Sequence, residues 1–343
     1  MSGGSAEAGE TRFRLSICIA THNRATFIGE TIDSILSQLS APVELLVVDG
    51  GSTDATAEVV QARFAGQARC RYLRLPEKGG VDQDYCRAVA EAAGEFCWLM
   101  TDDDLLLPGA VARVLAELLH EPDLIVVNAE VAGPDLQSVL VPRKLPLRTD
   151  RAFGRGEGSA LFALAGDLLT FIGAVVVRTR VFRARDPRPF FGSEFAHVGI
   201  LFAAPLERGA RVIAAPLVRI RHGNAQWSAR AFEIWMLKWP RLVWSLPGLS
   251  DRDRAAVTPR DPWRSGRALL QMKAKGCYSL DEYRRFLAPL PAPPPLRLWM
   301  SVLAALPDVP FNVALQLLLP VFFPHAKGTL VDLQQSRFAR GRR

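Results

Sequence analysis

The sequence predicts an α/β protein whose mostly parallel sheet is covered by helices on both faces. Two observations carry this expectation. Between residues 13 and 100, β-rich apolar runs alternate with stretches of helical periodicity in a β-α-β-α-β-α-β order. Three of those runs also end in polar clusters, Thr21–Arg24, Asp49–Asp54 and Asp102–Asp104. Ligands of open parallel sheets bind beyond the carboxyl ends of the strands, so the three clusters are expected to converge on one crevice.

Each element has its own warrant. Residues 13–20, Phe-Arg-Leu-Ser-Ile-Cys-Ile-Ala, read as the first strand and run into Thr21-His22-Asn23-Arg24. Phe27, Ile28, Ile32, Ile35, Leu36 and Leu39 then recur at helical spacing. Val43–Val48 is the second strand and ends in Asp49-Gly50-Gly51-Ser52-Thr53-Asp54. Ser52 or Asp54 suits the N-cap of a helix over 55–64. Cys70–Leu75 reads as the third strand, residues 84–93 as a helix, and Phe96–Met100 as the fourth strand.

That fourth strand leads through Thr101 into Asp102-Asp103-Asp104, then Leu105–Leu107 and Pro108. Unpaired charges are costly to bury, so three adjacent acids are not there for packing. In extended chain Asp102 and Asp104 point to the same side. Two carboxylates so placed can share one Mg²⁺ or Mn²⁺ that also holds phosphate oxygens. The alternative is a solvated loop in which Asp104 caps the following helix.

Leu15-Ser16-Ile17-Cys18-Ile19-Ala20-Thr21-His22-Asn23-Arg24, Val47-Val48-Asp49-Gly50-Gly51-Ser52-Thr53-Asp54 and Asp102-Asp103-Asp104 together resemble the family 2 nucleotide-sugar glycosyltransferases of GT-A fold. Gly79-Gly80-Val81-Asp82-Gln83-Asp84-Tyr85, Gly94-Glu95-Phe96-Cys97-Trp98-Leu99 and Phe171-Ile172-Gly173 narrow the likeness to abequosyltransferase-like enzymes of O-antigen assembly. The resemblance is strong over residues 13–110, weakens through 111–225 and gives little beyond. It implies that Thr21, Asn23 and Arg24 line the nucleotide site. Asp49 would receive the base or ribose, with Ser52 and Asp54 in its loop. Asp102 and Asp104 would hold the metal, and Asp103 would lie near the ribose. Two departures stand out. Position 22 is His, where Tyr is usual, and the stretch after the third strand carries Asp82 and Asp84 where an Arg commonly meets the diphosphate. Asp82 and Asp84 are expected either to read sugar hydroxyls or to cap the next helix.

An inverting transfer needs a base beside the acceptor hydroxyl. The resemblance puts that base in Phe190-Phe191-Gly192-Ser193-Glu194-Phe195-Ala196-His197, with Glu194 the first choice and His197 the second. The competing reading of Glu194 is a first-turn acid favoured by a helix dipole. His222, in Arg219-Ile220-Arg221-His222-Gly223-Asn224 after a strand-like Arg211–Ile220, is a candidate third metal ligand or diphosphate contact. Imidazole suits Mn²⁺ better than Mg²⁺. Arg219 and Arg221 can pair with phosphate, or the segment is simply a basic loop.

Composition sets the frame. At 343 residues and 49% apolar content the chain can bury a large core, as one large domain or one with an appendage. Five cysteines show no paired metal-ligand spacing and read as free thiols in a reducing cytoplasm. Residues 1–12, small and polar, read as a disordered tail without a signal peptide. The formal charge of +7 belongs to residues 226–343; the part before them is slightly acidic. No helix-turn-helix, zinc or RNA-binding signature accompanies that basicity, so a negatively charged membrane surface is the expected partner rather than nucleic acid. Trp227, Trp235, Trp239, Trp244 and Trp263 crowd this part, and Trp299 opens an apolar stretch over 296–323 after the stiff, Pro-rich 289–295. Arg297, Pro307, Asp308, Pro310, Asn312 and Pro320 interrupt any run of the ~20 residues that would span a bilayer. An interfacial helical hairpin is expected there, or else an appendage packed on the domain or on a second copy in a homodimer.

The expectation is a GT-A domain over 13–225 and a helical extension over 226–343. It would be a metal-dependent inverting glycosyltransferase at the inner face of the plasma membrane. Its donor would be a nucleotide diphosphate sugar and its acceptor a lipid-linked saccharide of cell-surface polysaccharide synthesis. The competing reading is a non-catalytic nucleotide-sugar-binding or scaffold protein with a relict transferase domain. A nucleotidyltransferase would need a Gly-rich basic loop after the first strand, and a dinucleotide oxidoreductase would need G-x-G-x-x-G there. Neither is present.

Overall fold

The computed structural model describes residues 13–224 and 230–322, with residues 330 and 333. The expected tail at 1–12, Trp227 and position 323 lie outside the described residues. The first half folds as β1 (Phe13–Thr21), α1 (Ile28–Leu36), β2 (Val43–Asp49), α2 (Thr56–Phe64), β3 (Cys70–Arg74), α3 (Val81–Glu91) and β4 (Gly94–Met100). The alternation is the expected one. Helix α3 starts three residues earlier than its periodicity suggests. Gly80, at φ 94°, turns the chain straight into it, and Asp84 accepts the Gly79 N–H at 3.1 Å.

These strands pair in parallel in the order β3-β2-β1-β4. Chain order therefore reverses at β1, and a crevice opens where the β1 and β4 connections depart to opposite sides. The strands are apolar on both faces because helices cover both; Leu15, Ile17, Ile19, Val47, Phe96 and Trp98 are fully buried. Gly94 serves this packing, because a side chain there would run into the backbone of Leu15 and Ser16.

The rest of the sheet comes from β5 (Leu105–Leu106), β6 (Leu124–Ala132), β7 (Val139–Val141), β8 (Arg151–Phe153), β9 (Val175–Arg178) and β10 (Ala210–Arg221). Between them lie α4 (Ala110–Leu118), α5 (Gly158–Ala165), α6 (Thr179–Arg183) and α7 (Ala196–Phe202). Strand β9 is antiparallel to both β4 and β6, whereas β6 and β10 run parallel. The two residues of β5 pair with Val218 and Arg219 of β10. That short pairing fastens the segment after Asp102–Asp104 to the end of β10.

The C-terminal part is helical. A continuous stretch is made of α8 (Ala231–Glu233), a π-helical turn at Ile234–Lys238 and α9 (Trp239–Ser245). It is followed by α10 (Asp251–Val257), α11 (Gly266–Ala274), α12 (Leu280–Glu282), α13 (Pro294–Ala305) and α14 (Asp308–Phe322). Ile234, Trp239, Leu242, Val243 and Leu246 enter the main core, so this first stretch is built into the sheet domain. Trp263, Leu269, Tyr278, Leu287 and Met300 gather with Phe232 in a second, smaller core. Most of the tryptophans described here are therefore packing residues. No single helix among the described residues is long and apolar enough to cross a membrane; α13 and α14 meet at 90°. The five cysteines are free thiols.

Candidate active site

The loops after β1 and β2 are built as one unit. Asn23 sits at φ 55°, a left-handed conformation that Asn tolerates better than most residues. From there its N–H donates to Ser52 Oγ at 2.9 Å, and its side-chain oxygen accepts the Thr53 N–H at 2.8 Å. The Arg24 N–H donates to Thr56 Oγ1 at 2.8 Å. Asp49 closes the second loop: Oδ1 accepts from the Ser52 N–H at 2.8 Å and its hydroxyl at 2.7 Å, and Oδ2 accepts from Tyr72 at 2.6 Å. Gly51, at φ 72°, lets this loop pass against the backbone of 75–77, where a side chain would not fit. Thr21, beside Asp49 in register, holds a buried hydroxyl that has no hydrogen-bond partner among the described residues.

Arg24 reaches across to the acids. Its Nε donates to Asp102 at 3.0 Å and a terminal nitrogen pairs with Asp103. Asp103 also accepts from Asn224 at 2.8 Å. Asp104 is turned inward and buried, where Oδ1 accepts the Arg221 N–H at 2.6 Å and Oδ2 the Thr101 hydroxyl at 2.5 Å. This corrects the expectation from strand alternation that Asp102 and Asp104 face one side together. The chain leaves β4 at Met100, so alternation does not extend to 104, and Asp102 and Asp103 converge instead. Burial and the neighbouring carboxylates work against ionisation of Asp103 and Asp104. Asp103 is raised to about 6 by burial and by Asp102, against the pull of Arg24, and Asp104 is held well above the usual carboxylate range by burial and Asp103.

Among the described residues no three His, Cys, Asp or Glu side chains form a ready metal cluster. Asp102, Asp104 and His222 are thus not assembled as a three-ligand set. His222 follows β10, and its backbone N–H donates to Ala132 O at 3.0 Å. The flanking arginines are also committed within the protein. Arg219 pairs with Glu130 at 2.6 Å, and Arg221 pairs with Glu30 and donates to Asp103 O and Pro134 O. The Arg24 and Arg221 guanidinium groups both stack on the Phe27 ring, at 5.1 and 5.2 Å.

The second half of the site hangs on Asp82. Its carboxylate accepts backbone N–H groups from Gly192 at 2.8 Å, Glu194 at 3.1 Å and Ala196 at 2.9 Å. It therefore organises the loop that enters α7, a role neither expected alternative described. Asp84, inside the first turn of α3, accepts the N–H of Gly79 just before the helix, and no side chain caps α3 itself. Glu194 lies two residues before α7 rather than in its first turn, at φ 70°. Non-glycine residues adopt that left-handed conformation uncommonly. Arg230 at 2.6 Å and Lys238 at 3.1 Å grip its carboxylate. Burial opposes its charge, but these two cations outweigh it and hold the carboxyl below the usual range. His197 is buried, with its Nε2 at 2.8 Å from Leu169 O, and burial lowers it to about 4. Its surroundings are those of a structural side chain.

Tyr72, Thr101, Arg230 and Lys238 were not among the expected residues. Tyr72 faces β2 from the edge strand β3. Thr101 is a local partner, three residues before Asp104, whereas Arg230 and Lys238 are set by tertiary contact, with Lys238 44 positions from Glu194.

Residues 16–158 match the family model described as Glycosyl transferase family 2. The chain is 26% identical over 223 residues to the abequosyltransferase RfbV of Salmonella typhimurium, across 61% of this chain and 67% of that protein. It is 33% identical over 103 residues to the GalNAc(5)-diNAcBac-PP-undecaprenol beta-1,3-glucosyltransferase of Campylobacter jejuni. That match covers 30% of this chain and 33% of the relative, so it concerns a part of each. Among solved structures, S. aureus TarS 1–349 in complex with UDP-GlcNAc superposes with a TM-score of 0.55 at 14% identity, covering 94% of this chain and 90% of the other. At that identity the likeness is one of fold, and the fold is GT-A-like.

Proposed function

We propose that this chain, a glycosyltransferase with a family 2 domain at residues 16–158, moves a sugar from a nucleotide diphosphate donor to a hydroxyl of a lipid-linked saccharide. The observation that carries this reading is the convergence of Arg24, Asp102 and Asp103 at the carboxyl ends of β1 and β4, against the stitched loop of Asp49 and Ser52. The family match, the likeness to O-antigen and undecaprenol-linked transferases, and a fold neighbour that binds UDP-GlcNAc support it. In this reading the donor's nucleoside lies over the loops at 21–24 and 49–54.

Two carboxylates that already converge on one guanidinium cation suit a divalent cation such as Mn²⁺ or Mg²⁺, with the donor phosphates supplying further oxygens. Asp102 and Asp103 would hold it. When bound, such an ion neutralises charge on the departing diphosphate. Glu194 is ionised at neutral pH and takes the acceptor's proton as the hydroxyl oxygen attacks the anomeric carbon. The bond from that carbon to the diphosphate breaks, and the nucleoside diphosphate leaves with the bonding pair. Inversion follows from that single displacement. Arg230 and Lys238 keep Glu194 charged and oriented until the acceptor arrives.

The test is turnover with UDP-, GDP-, CDP- and dTDP-sugars on a polyprenyl-diphosphate saccharide, in wild type and Glu194→Gln. The reading expects one nucleotide class to turn over, and the variant to lose at least ~100-fold in kcat while still binding donor. Loss of donor binding in the variant would assign Glu194 to the donor site. Absence of nucleotide binding by folded protein would favour a scaffold role.

A further inference from the structure

The polarity of residues 298–318 is inverted. Every exposed position there is apolar, and the large ones are Leu298, Trp299, Val302, Leu306, Val309, Leu317 and Leu318, with Leu298 66% and Leu317 69% exposed. Of the polar side chains in the same stretch, Asp308, Asn312 and Gln316 are turned toward the protein. Asp308 meets the buried Lys273 at 2.9 Å, and Lys273 also donates to Ala304 O at 3.0 Å. Asn312 donates to Ala274 O at 2.9 Å, and Gln316 to Asn312 at 2.6 Å. Helices α13 and α14 therefore dock on the protein through polar anchors and a few apolar contacts, and present hydrocarbon outward.

Water does not favour that arrangement, and soluble surfaces rarely leave so many large apolar side chains exposed on neighbouring helices. Three features identify what covers it. First, the two helices meet at 90° and neither is long enough to span hydrocarbon, since 12 residues of α13 rise only ~18 Å against a core of ~30 Å. Second, the patch is bordered by exposed cations. Arg297 precedes Leu298, Arg267 follows the Gly266 that abuts the Trp299 ring, and Arg284 and Arg285 lie on the turn packed beside α13. Third, residues 226–343 hold the chain's net positive charge. A bent apolar ridge with a basic border matches an anionic bilayer surface, with side chains in the acyl boundary and guanidinium groups at lipid phosphates.

We propose that the outer face of α13 and α14 is a membrane-binding surface for anionic lipid. It stands on its own geometry, apart from the transfer reading, though it would bring the site to a lipid-borne acceptor.

The test is co-sedimentation of the full chain with phosphatidylcholine vesicles, with and without phosphatidylglycerol, at low and high salt, beside sedimentation equilibrium without lipid. Binding should require the anionic lipid and weaken with salt. Leu298→Glu with Leu317→Glu should lower the partition coefficient at least ~10-fold with circular dichroism and Tm retained, because both side chains are already in solvent. Arg284→Ser with Arg285→Ser should lower it about 5-fold per charge and flatten the salt dependence. Vesicle binding that the Glu variants leave unchanged would overturn the proposal. So would a dimer that those variants dissociate in protein that ignores vesicles, because a second copy would then cover the face.

Discussion

Arg24 and the three acids opposite it show how much of the site depends on single side chains. Asp102 and Asp103 share one guanidinium, whereas Asp104 is spent on Thr101 and the Arg221 N–H. Their substitutions should therefore separate. Asp102→Asn is expected to abolish metal-dependent nucleotide binding and leave the Tm near wild type. Asp104→Ala should itself lower stability by about 1–3 kcal/mol, since it orphans a buried N–H and a hydroxyl; thermal denaturation of both variants checks this. His197 offers a pH signature. Its folded value of about 4 lies below the unfolded 6.5, so the unfolded chain binds the extra proton. Its contribution is fully present above pH 6.5 and is lost as pH falls from 6.5 towards 4, by about 3 kcal/mol in total. Urea denaturation across that window should show the loss in wild type, and His197→Gln should reduce it. Residue types and positions at the ends of β1, β2 and β4 were legible in the sequence. The facing of Asp104 was not, because alternation holds only while the chain stays extended.

Among the elements, α3 does more than cover the sheet. Its first turn carries Asp82, which holds three N–H groups of the loop entering α7, from more than a hundred positions away in sequence. Asp82→Ala should loosen that loop and misplace Glu194. The expected result is a lower kcat with nucleotide affinity retained, and a lower Tm. If kcat is unchanged while the loop loses protection in amide exchange, Glu194 is not the acceptor's base. The helix-and-strand alternation was readable because the sheet is covered on both faces and its strands are continuously apolar. The acceptor side was readable only as a short acidic motif. Its bracing comes from α3 and from the π-turn at Ile234–Lys238, through contacts that no local pattern encodes.

At the scale of the molecule, the chain divides its apolar residues among a large core around the sheet, a second core among the C-terminal helices, and an outward face on α13 and α14. The excess of basic residues after 225 marked a change of surface. The packing changes later, since Ile234 to Leu246 still belong to the main core. Hydropathy alone could not separate the tryptophans of the second core from those near a lipid boundary, because both are apolar at helical spacing. The same arrangement keeps Lys238 and Arg230, from the C-terminal part, on the carboxylate of Glu194. In the proposed function, the crevice between β1 and β4 binds a nucleoside diphosphate through a cation held at Asp102 and Asp103. Calorimetric titration of UDP, GDP, CDP and dTDP, each with and without Mn²⁺, into wild type and Asp102→Asn tests it most directly. One nucleotide should bind, only with Mn²⁺, and Asp102→Asn should lose it. Binding that is indifferent both to Mn²⁺ and to Asp102→Asn would contradict that proposal.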